Sequence, residues 1–364
     1  MDLDAFLTTA GELLTMPSTA DRPDELRRAL DFVIDFVGPG FTVERFESGG
    51  KPSALLHHSP GPFRVVLNAH LDVVPAEPAQ FEPRRVGDRL YARGAQDMKV
   101  TALAQAMAFR ELAARLPYPL ALQLVTDEEV GGRNGTDFQL SHGVSAGFVI
   151  IGEHSGLDIV ADSKGVLQVR LLAAGRGGHG AYPWLGDNAL LMLLRTISRL
   201  LEVYPPAAAP AWRTTVNVAR IDTTNRAFNQ IPARAEAWLD IRFPAEDPDL
   251  GGKTEAEVRD YLLRFGEPGV RVDIDHVDPA HHADHERLEI KELRRAAREQ
   301  GYAGAFLYKH GAGDGRFYAR RGIDAVAFGV GGDGQHGSDE YVDVTTIVPY
   351  YRALTSFLHH LASA

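Results

Sequence analysis

Short apolar runs alternating with helical stripes organise this chain. Residues 64–75 read Arg-Val-Val-Leu-Asn-Ala-His-Leu-Asp-Val-Val-Pro. This β-branched run stops at His70, with Asp72 two places on and Pro75 closing it. A run that is short, apolar and bounded by polar residues predicts a buried strand. Before it, residues 4–16 carry Phe6, Leu7, Leu13 and Leu14 at helical spacing and stop at Pro17-Ser18. Residues 21–37 open on Pro23-Asp24-Glu25, acidic first-turn chemistry, and place Leu26, Leu30, Val33, Ile34 and Val37 on one stripe. Strands are predicted at 41–46 and 54–57. A long helix is predicted over 100–116, stopped by Pro117 and Pro119, and buried strands at 120–126 and 148–152. Strands alternating with helices predict an α/β domain, whose site should lie at the carboxyl edge of its sheet.

The pattern changes near Lys164. Strands at 166–173, 214–221, 235–243 and 270–277, with helices at 187–203 and 253–265, give the order β-α-β-β-α-β, a ferredoxin-like arrangement. From Glu286 the α/β pattern resumes with a helix to Gln300, a glycine-rich loop at 311–315, a strand at 325–330 and a C-terminal helix. The expected organisation is one discontinuous domain, 1–163 and 286–364, with a mixed central sheet flanked by helices, interrupted by an inserted domain at 164–285. A chain of 364 residues exceeds one hydrophobic core, in keeping with about two domains.

Composition narrows the chemistry. A formal charge of −11 argues against nucleic acid or an anionic membrane as partner. The absence of cysteine removes disulfides, thiolate ligands and thiol nucleophiles together, so any metal must be held by imidazole and carboxylate. The N-terminal residues lack a basic region and an apolar core, so no signal peptide is expected. No apolar segment approaches the ~20 residues needed to span a bilayer. The expectation is a cytoplasmic protein.

Polar residues gather where strands end: His70 with Asp72, Asp97, Glu128 with Glu129, Glu153, and His336 in Gly334-Gln335-His336-Gly337-Ser338-Asp339-Glu340. Each alone has a bland account. Asp97 could cap the helix that follows it, Glu128-Glu129 could be a solvated loop pair, and Glu153 and His336 could be surface loop residues. Together, two imidazoles and several carboxylates form a nitrogen–oxygen set that suits Zn²⁺, Co²⁺ or Mn²⁺. One shared carboxylate would hold two ions roughly 3.5–4 Å apart, the spacing of two-metal hydrolysis. For Glu128 and Glu129 to act on one centre the chain must already have turned, which Gly131-Gly132 makes easy.

On these residues the chain resembles the M20 family of di-zinc metallopeptidases and amidohydrolases. The resemblance rests on 70–75, on Tyr91-Ala92-Arg93-Gly94-Ala95-Gln96-Asp97-Met98-Lys99, on Thr126-Asp127-Glu128-Glu129, on Gly178-His179-Gly180-Ala181-Tyr182-Pro183, on Asn229-Gln230-Ile231-Pro232 and on 336–340. It implies a catalytic domain of α/β class, phosphorylase/hydrolase-like, and a ferredoxin-like insertion that acts as lid and homodimer interface. It further implies that His70 and Glu153 bind one zinc and Glu129 and His336 the other, with Asp97 bridging and the Asp97–Met98 peptide cis. Glu128 would be the general base and Asp72 the orienter of His70. The resemblance also makes His179 a lid residue that polarises the scissile carbonyl, Arg242 a ligand of the substrate carboxylate, and Asn229 a neighbour of the carbonyl oxygen. Gly313, in the loop 311–317, would line the substrate end. Thr223-Thr224-Asn225-Arg226 and the glycine-rich stretch 331–334 depart from the family pattern and leave the pocket's detail open. His276, His281, His282 and His285 are read as a polar hinge between domains, with an accidental metal site as the alternative.

The function implied is metal-dependent hydrolysis of an amide or peptide bond in a small N-acyl amino acid or short peptide, by a metal-bridging hydroxide with Glu128 as base. Two alternatives stay open: a di-zinc aminopeptidase or dipeptidase recognising a free amino terminus, and a non-catalytic binding protein of the same fold.

Overall fold

Strand Phe63–His70 buries both of its faces, which is why it reads as a continuous apolar run. Val65, Leu67 and Ala69 enter one core and Val66 the other. The same two-residue alternation recurs in Leu120–Val125 and Ala146–Ile151: Leu120, Leu122, Leu124, Phe148 and Ile150 face the first core, Ala121, Val149 and Ile151 the second. The computed structural model describes residues 1–363. It divides into two units, Met1–Ala161 with His282–Leu307 and Gly313–Ala364, and Asp162–His281 with Tyr308–Ala312.

In the first unit the sheet runs in the order Thr42–Ser48, Lys51–His57, Leu120–Val125, Phe63–His70, Ala146–Ile151, Asp324–Ala327, Ile159–Ser163. Its central members, from Leu120–Val125 to Asp324–Ala327, are parallel, and the flanking strands are antiparallel. Helices Leu3–Leu14, Pro23–Val37, Val100–Leu112, Leu288–Glu299 and Ile347–His360 supply the first core. Short helices Thr136–Ser141 and Gly315–Ala319 help to close the second.

Two predicted elements end early. The helix predicted to reach 116 stops at Leu112 and finishes in a turn, with the Arg115 and Leu116 N–H groups on the Leu112 carbonyl. The strand predicted over 325–330 pairs only to Ala327. Beyond it the chain crosses the Glu153 main chain so closely that a Cβ at Gly329 would lie 2.4 Å from the Glu153 carbonyl oxygen. Escaping the sequence reading altogether is a small sheet in the order Gly332–Asp333, Tyr341–Asp343, Arg89–Tyr91, Arg84–Val86. Strands of two or three residues carry no periodic signal.

The second unit is a four-stranded antiparallel sheet in the order Thr215–Asp222, Arg234–Phe243, Gly165–Ala174, Val270–Asp278. The first and third strands in sequence are central and the second and fourth are edges, the ferredoxin-like order. Leu167, Val169 and Leu171 alternate with Gln168 and Arg170, and the apolar set packs with Leu193 and Ile197 of helix Ala189–Val203 and Val258 and Leu262 of helix Glu255–Leu263. Asn188 and Thr254 cap these helices with their side-chain oxygens. Tyr308–Ala312 falls in this unit, whereas the sequence pattern groups it with the flanking domain. The Tyr308 ring lies 4.7 Å from that of Trp212, and Lys309 accepts the Lys164 N–H at 3.1 Å. Among the described residues, no helix is long and apolar enough to cross a membrane.

Candidate metal centre

Parallel pairing brings three carriers to one edge of the sheet. His70 ends its strand opposite Val125, and Asn68 pairs with Ile151, so residues 126–129 and 152–153 leave the sheet beside His70. After Thr126 the chain enters a 3₁₀ turn, Glu128–Val130, closed by Gly131 at φ 108°. Asp72, fully buried, anchors that turn. Its Oδ1 accepts the Glu128 N–H at 3.2 Å and its Oδ2 the Glu129 N–H at 2.9 Å.

Asp97 lies in the turn Ala95–Lys99, after Gly94 at φ 82°. Its dihedrals are not helical (φ −120°, ψ 93°), its peptide to Met98 is cis, and it caps no helix. The helix-cap account of this residue therefore does not hold. Glu340 Oε1 accepts the N–H groups of Gln96 at 3.0 Å and Asp97 at 3.2 Å, and Arg93 pairs with the same buried carboxylate. Arg93 also donates to the carbonyls of His336 and Gly337 at 3.1 and 3.0 Å.

The side chains converge on Asp97. Its Oδ1 lies 2.9 Å from His70 Nε2, which is 3.3 Å from Glu153 Oε1. Its Oδ2 lies 3.3 Å from His336 Nε2, which is 3.1 Å from Glu129 Oε2. One carboxylate thus faces two imidazoles, one per oxygen. Ligand atoms of His70, Glu128 and Glu153 lie within 4.8 Å of one another, as do those of Asp97, Glu129 and His336, and those of Asp97, Glu153 and His154. Gly313 stands beside the base: a Cβ there would lie 3.9 Å from Glu128 Oε1.

Asp72 offers His70 Nδ1 two acceptors. The nearest acceptor of His70 Nδ1 is the main-chain carbonyl of Asp72, at 3.0 Å, with the carboxylate at 3.5 Å. The carboxylate also accepts from the turn carrying Glu128 and Glu129. Gln335, which the sequence reading passed over, donates through its side-chain amide to Asp97 Oδ2.

Charge balance tests whether cations fit. Burial and the neighbouring Glu153 push the Glu128 carboxyl well above the usual range. Burial, with Asp97 nearby, takes Glu129 to about 7. Burial would lower the His70 imidazole, but Asp72, Asp97 and Glu153 together hold it well above its ordinary value, and Asp97 raises that of His336. Asp97 itself is held low, its burial outweighed by the two histidines. The site thus gathers negative charge and draws protons to offset it. Divalent cations at the same points would neutralise it, and the oxygen and imidazole donors are of the right kind.

Three expected substrate residues belong to the second unit. Gly178–His179 pairs with Gln230–Ile231, and the Asn229 carbonyl accepts the Gly180 N–H at 2.7 Å. His179 is exposed, and its Nδ1 accepts the Ala181 N–H at 3.1 Å, which places the proton on Nε2. The Arg242 fork is occupied by Asp240, at 2.6 and 3.1 Å. Residues two apart on a strand share a face, so this pairing was implicit in Asp240-Ile241-Arg242. In the presumed hinge, His276 Nε2 lies 2.7 Å from Asp278, and the His285 ring stacks on Phe306 at 3.9 Å.

A probable carboxypeptidase of Aspergillus terreus is 34% identical over 268 residues, covering 65% of this chain and 59% of that one. The chain therefore spans about three fifths of that relative's length. The succinyl-diaminopimelate desuccinylase of Bordetella parapertussis is 27% identical over 98% of this chain and 99% of its own. A Staphylococcus aureus tripeptidase structure superposes with a TM-score of 0.79 at 18% identity, covering all of both chains, and so shares the fold. The family model for peptidase family M20/M25/M40 matches residues 66–360, and the chain belongs to that family.

Proposed function

We propose that this chain is a metal-dependent hydrolase that cleaves an amide or peptide bond in a small N-acyl amino acid or short peptide. The observation that carries this reading is Asp97, whose two oxygens face His70 with Glu153 on one side and His336 with Glu129 on the other. In this reading His70 and Glu153 hold one ion, Glu129 and His336 the second, and Asp97 lies between them. Zinc is the proposed native metal, with Co²⁺ or Mn²⁺ able to substitute. When bound, such a pair of cations polarises a carbonyl oxygen and lowers the pKa of water.

The chain's own groups do the rest. Glu128 is held by its main-chain N–H on Asp72 and has Gly313 beside it, which leaves its carboxylate room to meet a substrate. It takes the proton of the attacking water and returns it to the departing amine nitrogen. His179, Asn229 and Arg242 are assigned to the substrate carbonyl and carboxylate on resemblance alone. For Arg242 to serve, it must exchange Asp240 for the substrate's carboxylate, a swap between like groups that its planar fork suits. We further assign the second unit the role of lid and homodimer interface, and the protein to the cytoplasm. Exposed Leu191 and Leu194 on helix Ala189–Val203, and the open edge of strand Thr215–Asp222, are in keeping with an interface.

The test is a panel of N-acyl amino acids, dipeptides and N-blocked dipeptides, assayed with Zn²⁺, Co²⁺ and Mn²⁺. The expected result is amide cleavage that depends on added cation and is lost with a chelator. Cleavage that fails only when the amino terminus is blocked would identify an aminopeptidase instead. Protein that binds two ions yet cleaves nothing across a broad panel would overturn the catalytic reading.

A further inference from the structure

We propose that His154 is an additional metal ligand, supplying a second imidazole to the cation held by Asp97 and Glu153. The inference rests on the metal-centre reading above and adds to it a residue outside every motif that identified the site.

His154 directly follows Glu153, past the end of strand Ala146–Ile151. Neighbours on a regular strand point to opposite faces. Here the chain has left the sheet, and both residues turn toward Asp97. Ligand atoms of Asp97, Glu153 and His154 all lie within 4.8 Å of one another. Donors about 2.0–2.2 Å from one tetrahedral ion stand roughly 3.3 Å apart. His154 Nδ1 is 3.7 Å from Glu153 Oε2, and His70 Nε2 is 3.3 Å from Glu153 Oε1. Glu153 therefore has an imidazole nitrogen within 4 Å of each of its oxygens.

The side chain is only 20% exposed, so it is not a solvated loop histidine. A neutral nitrogen donor suits this place for a further reason. It adds a donor without adding negative charge to a site already rich in carboxylates, and with a place kept for water the ion would be five-coordinate. It also alters which ion the site prefers. Nitrogen donors favour Zn²⁺ and Co²⁺, whereas an all-carboxylate set suits Mn²⁺.

The experiment measures binding rather than turnover. Metal-free wild-type protein, His154→Ala and His154→Gln are titrated with Zn²⁺ against a chromophoric chelator, and again with Mn²⁺. Circular dichroism establishes that each variant is folded, and His154→Gln keeps side-chain volume at the position. The expected result is two ions in the wild type. In both variants one of the two Zn²⁺ affinities should fall by at least ~10-fold, with the other unchanged and Mn²⁺ binding less affected. Two Zn²⁺ ions bound with unaltered affinities in both folded variants would overturn the role of His154 and leave the metal centre standing. A wild type that takes up no ion would instead remove the metal-centre reading itself, and this inference with it.

Discussion

Asp72→Asn separates two jobs that a carboxylate beside His70 could perform. The Asp72 oxygens accept the Glu128 and Glu129 N–H groups at 3.2 and 2.9 Å, in a fully buried position. Asparagine offers one acceptor oxygen and one amide donor, so one of those N–H groups must face a donor. A hydrogen bond to a charged group contributes about 1.5–3 kcal/mol. Losing one corresponds to opening of the turn roughly 10- to 150-fold more often, at about 1.4 kcal/mol per decade. Amide hydrogen exchange across residues 127–130 reads that opening directly. The nearest acceptor of His70 Nδ1 is the Asp72 carbonyl at 3.0 Å, which the substitution leaves in place. The ion assigned to His70 should therefore be held about as before, while the ion assigned to Glu129 should be held less tightly, because its ligand sits on the loosened turn. Turnover should fall by about 10-fold or more, because Glu128 loses its anchor. Unchanged exchange at Glu128 and Glu129 together with loss of the ion assigned to His70 would refute this reasoning and return the carboxylate to His70.

Three further outcomes follow from the same geometry. Glu128→Ala should keep its metal and lose turnover by at least ~10²-fold, the ordinary contribution of a positioned base; near-wild-type turnover in metal-replete protein would remove Glu128 from that role. Arg93→Ala strands the Glu340 carboxylate, whose side chain is 1% exposed, and should cost about 3–5 kcal/mol in chemical denaturation, with activity lost as Asp97 loses its main-chain support. Glu289 is drawn up by burial, but hydrogen bonds from Arg64 and Arg287 outweigh this and hold its carboxyl low. Its contribution should be complete above the unfolded carboxyl value of about 4.3 and should fade as pH falls through the lowered folded value. The melting gap between wild type and Glu289→Gln should therefore be widest at neutral pH and close in acid; a gap that widens in acid would contradict the ion pairing.

The residues that gather at Asp97 were legible because each follows an apolar run or sits in a motif, and because parallel strands end at a common edge. Their supports were not legible in the same way. Nothing in the residue types says that Asp72 directs its carboxylate at the 128–129 turn, since that depends on where the main-chain N–H groups point. Arg93 and Glu340 both lay inside motifs, yet their pairing needs the register that sets Tyr91 opposite Tyr341 in a sheet too short to announce itself. Arg242 shows the opposite case. Its partner Asp240 is readable from strand alternation, because residues two apart on a strand share a face.

The centre is held by two frames that meet at one side chain. The parallel sheet delivers His70, Glu153 and, through Asp72, the turn bearing Glu128 and Glu129. His336 comes from a loop and sits at φ 61°, a left-handed conformation that costs a histidine free energy unless its surroundings impose it. Those surroundings are visible: Arg93 holds the His336 and Gly337 carbonyls, Gln80 donates to Gly337 at 3.0 Å, and Glu340 fixes the main chain of Gln96 and Asp97. Asp97 faces the sheet frame through Oδ1 and the loop frame through Oδ2. A sheet edge alone can gather carboxylates. Joining them to the second histidine requires the buried Arg93–Glu340 pair, and this gives a physical reason for an ion pair in the interior where an apolar pair would pack as well.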